Sequence, residues 1–212
     1  MLSLFYQLSR GFAMQKDNRF AEAIKKIDAA NQEDPRSEMV DGRPQPRELL
    51  FAQRVYQWVE QLAEEPSEEL LLAARAHTLR RWMIPRDRYP MTTVGYHQWR
   101  NALAQFHADE AETILHAAGY PAEQIQSIRD FITKKNWPED KEACVLEDAD
   151  CLVFLETKLS DYIDAWEDTK TLRILQRTIR KMTPEARTRA FQLKLGERER
   201  ELVHRAANPA TE

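Results

Sequence analysis

Apolar residues recur along this chain with the spacing of α-helices, and the alternation typical of strands is nearly absent. Phe20, Ala23, Ile24 and Ile27 follow the i, i+3, i+4 pattern that lines one face of a helix. The same spacing returns in most later segments. Strong helix formers dominate the composition, and the chain contains only 5 Gly. The pattern therefore predicts an all-α protein.

Turn and capping residues divide the chain into segments. Residues 31–46 are rich in turn residues and are predicted to form a loop, whose last proline opens the next helix. Ser67 is the expected N-cap of a helix that runs to about Trp82. Two prolines exclude regular helix from residues 84–94, where we predict an extended segment. Further helices are expected from about Tyr96 to Gly119, from Pro121 to about Lys135, from Trp137 to Leu159, from Tyr162 to Met182 and from Pro184 to about Ala207.

Composition and charge limit the class of protein. Apolar residues at 42% and charged residues at 31% are typical of a soluble globular protein. The sequence contains no run of about 18 apolar residues, so no membrane span is predicted. The apolar residues 1–8 are not preceded by a basic region, so we do not interpret them as a signal peptide and expect a cytoplasmic location. The net charge of -4 argues against a surface that binds nucleic acid as a whole, although a local basic patch that binds RNA is allowed.

Three polar side chains are predicted to point inward from three different helices. On a helical wheel of about 100° per residue, His77, His107 and Asp150 each lie among apolar positions, whereas Asp148 falls on the opposite side of its helix. Two imidazoles and a carboxylate form a reasonable ligand set for a divalent metal such as Mn, Fe, Zn or Mg, which could activate water. The competing interpretation is a hydrogen-bonded polar network in the core.

Cationic and aromatic residues gather directly after His77. Arginine side chains suit phosphate or carboxylate groups, and the interleaved aromatic rings can stack on a base or a ring. A solvated face whose arginines pair with Asp87, Asp109 and Glu110 is the alternative. The candidate substrate-binding residues are Thr78, Arg80, Arg81, Trp82, Arg86, Arg100, Lys134 and Lys135.

Several common catalytic motifs are absent from the sequence. No Gly-rich phosphate loop occurs, so no nucleotide cofactor is predicted. The chain also lacks a Gly-x-Ser-x-Gly nucleophile motif and a His-Glu-x-x-His zinc motif. A cysteine nucleophile is only weakly supported, because Cys151 is predicted to lie in the middle of a helix within an apolar run.

The order of four segments resembles the HD superfamily of metal-dependent phosphohydrolases. The resemblance covers about residues 47–156, and the stretches 80–86 and 96–100 are also similar to an uncharacterised bacterial family that is a remote branch of this superfamily. The matching segments are Phe51-Ala-Gln-Arg-Val55, Ala73-Ala-Arg-Ala-His77-Thr78, His107-Ala-Asp-Glu-Ala111 and Glu147-Asp-Ala-Asp150-Cys-Leu152.

The resemblance implies an HD-like orthogonal bundle of about 7–9 helices with a C-terminal helical extension. From the length and patterning we expect a single domain at residues 17–207, with its core at 47–156 and C-terminal helices at 160–207, between an extension of residues 1–16 and a frayed tail at 208–212. His77 matches the histidine of the His-Asp pair, and Asp150 matches the last metal aspartate. Phe51 replaces the first histidine and Thr78 the paired aspartate, so two of four ligands are missing, and His107 is our own suggestion for a substitute.

Two functions follow. The first is a divergent metal-dependent hydrolase of a phosphorylated small molecule or nucleotide, with His77 and Asp150 as catalytic residues and a metal on His77, His107 and Asp150. The alternative is a metal-free module in which a pocket at His77, Arg80 and Arg81 recognises an anionic ligand, an RNA end or a protein partner. The oligomeric state cannot be predicted from these patterns.

Overall fold

The computed structural model describes residues 18–208 of the chain. The predicted extension at 1–16 and most of the predicted tail lie outside these residues. The described chain is almost entirely helical, with one small two-stranded sheet. The predicted all-α class is confirmed.

The helices and strands follow one another in this order along the chain: α1 (18–31), β1 (Ser37–Val40), β2 (Arg43–Pro46), α2 (Arg47–Leu62), α3 (Glu68–Ala76), α4 (Thr93–Ala117), α5 (Ala122–Ile132), α6 (Lys141–Thr157), α7 (Leu159–Ala165), α8 (Asp168–Lys181), α9 (Pro184–Gln192) and α10 (Glu197–Ala207). Two short 3-10 turns, Arg81–Met83 and Arg86–Arg88, lie between α3 and α4.

The described residues divide into two compact units. Unit 1 comprises 18–53 and 67–135, and unit 2 comprises 54–66 and 136–208. In unit 1, helix α5 packs against both α3 and α4. In unit 2, α10 packs against α8, and α6 packs against α8 and α9. The single domain at 17–207 stays a prediction.

Unit 2 is organised around an apolar cluster that explains its helical pattern. Leu152, Leu155, Leu175 and Leu202 are essentially inaccessible to solvent and belong to three different helices. Burying such side chains contributes about 1.5–3 kcal/mol each. The cluster therefore holds the C-terminal helices together without help from any of the predicted site residues.

The C-terminal helices are shorter than predicted. The segment expected to be one helix from Tyr162 to Met182 breaks at Trp166, whose backbone is extended (φ -137°, ψ 158°). The segment from Pro184 to Ala207 breaks after Gln192, and Gly196 caps the start of α10. Helical periodicity continues across both breaks, so the wheel pattern could not reveal them.

The region predicted as a loop contains a β-hairpin. Strands β1 and β2 pair in antiparallel fashion, with Val40 opposite Arg43. Asp41 and Gly42 have positive φ angles of 50° and 75°. Two such residues form the type I′ turn that matches the twist of a hairpin, and Asp-Gly is a preferred pair for it.

A buried ion network fixes the chain between α1 and the hairpin. The Asp34 carboxylate accepts hydrogen bonds from the Arg36 guanidinium (Nε to Oδ1, 2.9 Å) and from the Glu48 backbone N–H (3.0 Å). Arg36 also pairs with the Glu48 carboxylate at 2.8 Å. Burial by itself would raise the pKa of Asp34, but these hydrogen bonds outweigh it and the pKa is lowered.

Helix α3 ends earlier than predicted. Ser67 is its N-cap, as expected, because its hydroxyl accepts from the Leu70 N–H at 3.1 Å. The predicted end at Trp82 is wrong, since the last helical residue is Ala76. Arg80 has a left-handed backbone (φ 52°), which cannot continue a right-handed helix. The chain therefore turns sharply just after His77.

The segment 84–94 is more ordered than the predicted extended chain. It contains the 3-10 turn Arg86–Arg88, and the Trp99 indole donates to the Ile84 carbonyl at 2.9 Å. Helix α4 starts at Thr93, before the predicted Tyr96, because Thr92 caps it by accepting from the Gly95 N–H at 3.1 Å. The segment is thus anchored to the helix that follows it.

The close packing of Gly95 against the Pro90 backbone can be tested by substitution. A Cβ at position 95 would lie 2.1 Å from the Pro90 carbonyl oxygen, so Gly95→Ala must displace backbone. We expect the free energy of unfolding to fall by about 1–3 kcal/mol, as for other overpacked sites. In an exposed helix the same change stabilises by about 0.4–1 kcal/mol. Urea unfolding decides between the two signs, and a stabilised variant would contradict the close contact.

Asp34 supports a prediction about pH. Because the folded pKa of Asp34 lies below its unfolded value of about 3.9, the carboxylate stabilises the fold above that pH and loses this effect as the pH falls through the folded pKa. We expect Asp34→Asn to cost about 1–3 kcal/mol at neutral pH and much less in acid. Urea unfolding of both proteins across that pH range measures the difference. Asp87→Asn, at an exposed carboxylate, is the control, and a cost that does not depend on pH would contradict the assignment.

Candidate functional site

His77 lies at the C-terminus of α3, in unit 1. It is 9% exposed, and its Nδ1 lies 3.0 Å from the Ala74 carbonyl oxygen. Because a carbonyl oxygen can only accept, Nδ1 carries the proton in this contact. The Phe51 ring lies 6.0 Å away between centroids, tilted by 39°. The prediction of an inward His77 is therefore confirmed by its burial.

His107 lies on α4 and is more deeply buried, at 2% exposure. Its Nδ1 donates to the Leu79 carbonyl at 2.6 Å, and its Nε2 is buried with no hydrogen-bond partner among residues 18–208. Burial lowers the pKa of His107 to about 3, and the charges of Arg81, His77 and Arg100 act in the same direction. His107 is thus a neutral imidazole that presents a lone pair on Nε2.

In the sequence, Thr78 lies between His77 and Leu79, whose carbonyl accepts a hydrogen bond from His107. It is 5% exposed, and its hydroxyl is buried without a hydrogen-bond partner in the described part of the chain. The next residue, Leu79, supplies the carbonyl that His107 binds. The Thr78 hydroxyl in this turn and Nε2 of His107, which contacts the turn, are therefore both buried without a partner in the described chain. Buried polar atoms normally have hydrogen-bond partners.

The predicted cationic residues of the 80–86 segment have different roles in the structure. The terminal nitrogens of Arg80 pair with Glu110 and Glu33, both at 3.0 Å. Arg86 donates to the backbone carbonyls of Tyr89 (2.9 Å) and Pro90 (2.8 Å). Both side chains therefore hold unit 1 together, and the pairing of Arg80 with Glu110 was the alternative that the sequence left open.

Arg81 and Arg100 remain close to the buried imidazole. Arg81 lies over the Trp99 ring at 5.0 Å from its centroid, which orients the guanidinium. Arg100 is half-buried and makes no hydrogen bond or ion pair with any residue that the structure describes. The charges of both arginines act on His107, so this part of unit 1 has a positive field.

The remaining predicted residues of unit 1 lie elsewhere. Trp82 is half-buried in the first 3-10 turn. Lys134 and Lys135 follow α5, where Lys134 has a positive φ of 58° and Lys135 pairs with Asp130 at 2.9 Å. These residues stay predicted ligand contacts, and the geometry of the turn after α3 does not depend on them.

Asp150 lies on α6 in unit 2. The helical wheel wrongly placed its neighbour Asp148 on the side of α6 away from the apolar positions. Asp150 is half-buried, whereas Glu147 and Asp148 are 2% and 3% exposed. Glu147 pairs with Lys181 at 2.9 Å, and Asp148 accepts from the Thr183 backbone N–H at 2.8 Å. Burial raises the pKa of Asp148 despite these bonds. A single apolar face cannot be read from α6 because both α8 and α9 pack against it.

The donors can be compared with what a metal requires. Both imidazoles hold Nδ1 against a backbone carbonyl, which is the usual orientation of metal-binding histidines. The two nearby arginines, however, create a field that disfavours a divalent cation. Over residues 18–208, no group of three or more His, Cys, Asp or Glu side chains is arranged to hold a metal ion. The residues of unit 1 alone do not fit a metal site, and the set His77, His107 and Asp150 stays a prediction.

Sequence reasoning missed one residue of this region. Asn31, the last residue of α1, is fully buried, and its Oδ1 accepts from the Arg80 backbone N–H at 3.0 Å. The sequence places it at the start of a turn-rich stretch, where asparagine is common for local reasons. Nothing in that pattern indicates that its side chain reaches a turn 49 residues later.

Comparisons with known proteins give a family but no activity. A family model described as "Domain of unknown function (DUF4202)" matches residues 21–203. A search of curated proteins and a search of solved structures found no match. None of the described helices combines the length and apolar character needed to cross a membrane. Since the family match spans nearly all of the described residues, the chain belongs to the DUF4202 family, a domain of unknown function.

Proposed function

We propose that this protein binds a phosphorylated small molecule at the turn after α3, without a metal. The turn site is defined by Thr78, Arg81, Arg100 and His107. The observation that carries the proposal is the buried, neutral His107, whose Nε2 has no partner among the described residues and which lies in the field of two arginines. Buried polar atoms without partners are uncommon and call for an occupant.

The charge of the site selects the sign of its ligand. Arg100 is a half-buried cation without an ion-pair partner in the described chain, and Arg81 is held in place by its contact with Trp99. A partly desolvated guanidinium gains most from a charge-assisted bond to an anion, and its planar donors match a phosphate group. A bound anion would therefore offset the desolvation cost of the half-buried Arg100 guanidinium.

The burial of the site selects a compact group. Thr78 and His107 are 5% and 2% exposed, so little of either side chain reaches the surface. A single-stranded RNA needs an open groove with aromatic rings on which successive bases stack. The turn site fits one phosphate group better than it fits a chain of nucleotides.

The resemblance to the HD superfamily supports the same reading. That superfamily uses a His-Asp pair where this chain has His77 and Thr78. Loss of the aspartate removes a negative charge from the turn, and the nearby arginines add positive charge. A position that holds cations in that superfamily would then favour anions in this chain.

Metal-dependent hydrolysis of a phosphorylated small molecule or nucleotide is the second candidate. It is favoured by the contacts of the His77 and His107 Nδ1 atoms with backbone carbonyls, the orientation that metal-binding histidines commonly adopt. A bound divalent metal would supply an activated water. His77 and His107 would hold it, with Asp150 as the predicted third ligand.

Arginine replacement tests the anion site. We expect Arg100→Gln to weaken binding of inorganic phosphate by roughly tenfold or more, because a charged hydrogen-bond donor is lost. Isothermal titration of the purified protein measures the dissociation constant. Arg88→Gln is the matched control, since Arg88 is exposed and carries the same charge, and among residues 18–208 its side chain donates only to the Met83 carbonyl at 3.4 Å.

The outcomes separate the two explanations of any binding. Equal losses in both variants would show that phosphate responds only to net charge and would contradict the turn site. Absence of phosphate binding by the wild-type protein, together with absence of binding to ribose 5-phosphate, would contradict the proposed function itself.

Metal content tests the second candidate. We expect purified protein dialysed against Mn²⁺ or Zn²⁺ to retain far less than one ion per chain, because the unit 1 donors are two imidazoles in a positive field. Elemental analysis by mass spectrometry measures the ratio. One ion per chain that disappears in both His77→Ala and His107→Ala would instead put the hydrolase first, and phosphatase assays with the same metals would then follow.

A further inference from the structure

Exposed apolar side chains concentrate in one short segment of unit 1. Among residues 18–208, seven large apolar side chains are exposed, and four of them fall within residues 83–96. These four are Met83, Met91, Val94 and Tyr96, which are between 45% and 80% exposed. Single exposed apolar residues are normal in a soluble protein, whereas a group of them marks an interaction site. The segment is therefore a candidate interface.

The side chain of Trp99 joins the two ends of this segment. Its indole N–H donates to the carbonyl of Ile84, the residue after Met83, at 2.9 Å. Its ring lies 5.9 Å from the ring of Tyr96 between centroids. Met83 and Tyr96 are thus carried by parts of the backbone that lie against the same indole.

A close backbone contact joins the two remaining residues. Gly95, which follows Val94, packs so tightly on the Pro90 carbonyl that no space is left for a Cβ atom. Pro90 in turn precedes Met91 in the sequence. The backbone positions of Met91 and Val94 are therefore neighbours in space as well as in sequence, and all four exposed side chains belong to one compact segment.

Polar contacts keep the segment ordered, although its side chains bury little surface. Among residues 83–98, only Gly95 is buried. The Arg86 guanidinium donates to the carbonyls of Tyr89 (2.9 Å) and Pro90 (2.8 Å), and Thr92 caps α4. A surface that is already ordered loses little conformational entropy when a partner binds. The segment thus presents its apolar side chains in a preorganised form.

The charge of this region selects the sign of the partner. Residues 81–100 contain four arginines against one aspartate, which gives a net charge of +3, whereas the whole chain carries -4. Interfaces bring complementary potentials together, and like charges across an interface are costly. A partner must therefore present carboxylates beside its apolar groups.

The types of the exposed side chains favour a protein over RNA. Single-stranded nucleic acids stack their bases on aromatic rings, and Tyr96 is the only aromatic residue of the four. Methionine adapts its shape to different apolar surfaces, and Met, Tyr and Arg are enriched in protein interfaces. Aliphatic side chains beside arginines therefore match an amphipathic protein segment better than a nucleic acid.

Two further occupants agree less well with the charges. A second copy of this chain, docked through the same surface, would bring two regions of net positive charge together. Segments that bind anionic membranes carry about four to eight lysines or arginines near the lipid. Here only one of the four arginines at 81–100 is fully exposed, and the others are half-buried. Half-buried guanidinium groups suit individual carboxylates, with which they form directed ion pairs.

We infer that Met83, Met91, Val94 and Tyr96 form a docking surface for a partner protein that presents a segment of carboxylate and apolar side chains. The apolar side chains of that segment pack on the methionines and the valine, and its carboxylates face the neighbouring arginines. None of these four residues belongs to the turn site, so the inference does not depend on phosphate binding.

A phage library of short random peptides supplies probes that require no knowledge of the natural partner. We expect selection on the immobilised full chain to enrich peptides that combine Asp or Glu with apolar residues. The most enriched peptide is then synthesised with a fluorescent label, and anisotropy titration measures its dissociation constant. Added salt should weaken the binding, because it screens the attraction between exposed charges.

Exposed positions allow variants that leave the fold intact. Met91→Ser combined with Val94→Ser removes two exposed apolar side chains, so the peptide should bind at least roughly tenfold more weakly. Met39→Ser is the matched control and should leave the dissociation constant unchanged, because Met39 is 65% exposed on β1, outside the docking surface. Circular dichroism checks that each variant is folded.

A second pair of variants tests the charge of the partner. Thr93 is the exposed first residue of α4, where a glutamate favours the helix, so Thr93→Glu adds a negative charge beside Val94 without opposing the fold. We expect the acidic peptide to bind several-fold more weakly to this variant. Ala122→Glu adds the same charge at the exposed first residue of α5. Equal losses in both variants would overturn the local role of charge.

Other results would overturn the docking surface or its occupant. The surface is refuted if no peptide is enriched, or if enriched peptides bind the double serine variant as tightly as the wild type. Enrichment of basic peptides would reverse the stated charge. Binding of polyuridine, or of vesicles of phosphatidylcholine and phosphatidylserine, that the double variant abolishes would assign the surface to RNA or to a membrane instead. Dimerisation in analytical ultracentrifugation that the double variant abolishes would assign it to a second copy.

Discussion

The hydrogen bond from His107 Nδ1 to the Leu79 carbonyl fixes the orientation of the buried imidazole in unit 1. At 2.6 Å and with the imidazole 2% exposed, it joins α4 to the turn that ends α3. It also decides which ring nitrogen carries the proton, since the carbonyl can only accept. Burial and two arginines keep the ring neutral, so one buried contact creates a lone pair on the opposite side of the ring. Without that contact, either ring nitrogen could carry the proton.

Arginines near the turn have different environments, which give them different roles. Arg80 is surrounded by Glu33 and Glu110, and Arg86 by the backbone carbonyls of its own turn, so their charges are already satisfied. Arg81 has an aromatic surface beneath it, and Arg100 has no ion-pair partner in the described chain. Sequence position alone could not separate these groups, because all four residues follow His77 with similar neighbours.

Much of the fold could be predicted from local rules, since its helices obey them. The N-cap at Ser67 and the C-terminal glycine at Gly119, with φ 83°, follow from backbone chemistry within a few residues. The inward histidines follow from helical periodicity. Asn31, the left-handed Arg80 and the buried Glu147 and Asp148 could not be predicted, because each depends on a partner far away in the chain. A local sequence pattern does not indicate partners that are distant in the chain.

The distinction between local sequence pattern and packing also applies to the charge of the ligand that the turn site would bind. The resemblance to a metal-dependent superfamily predicts a cation, because the motif around His77 is local and survives in the sequence. The charges of Arg81 and Arg100 near His107 and the neutral state of that buried imidazole are properties of packing, and in our proposal they favour an anion. A carboxylate at position 78 would have opposed that field, whereas the hydroxyl of Thr78 adds a donor to it. In our proposal, the replacement of the superfamily's paired aspartate by Thr78 therefore changes a site for a cation into a site for an anion.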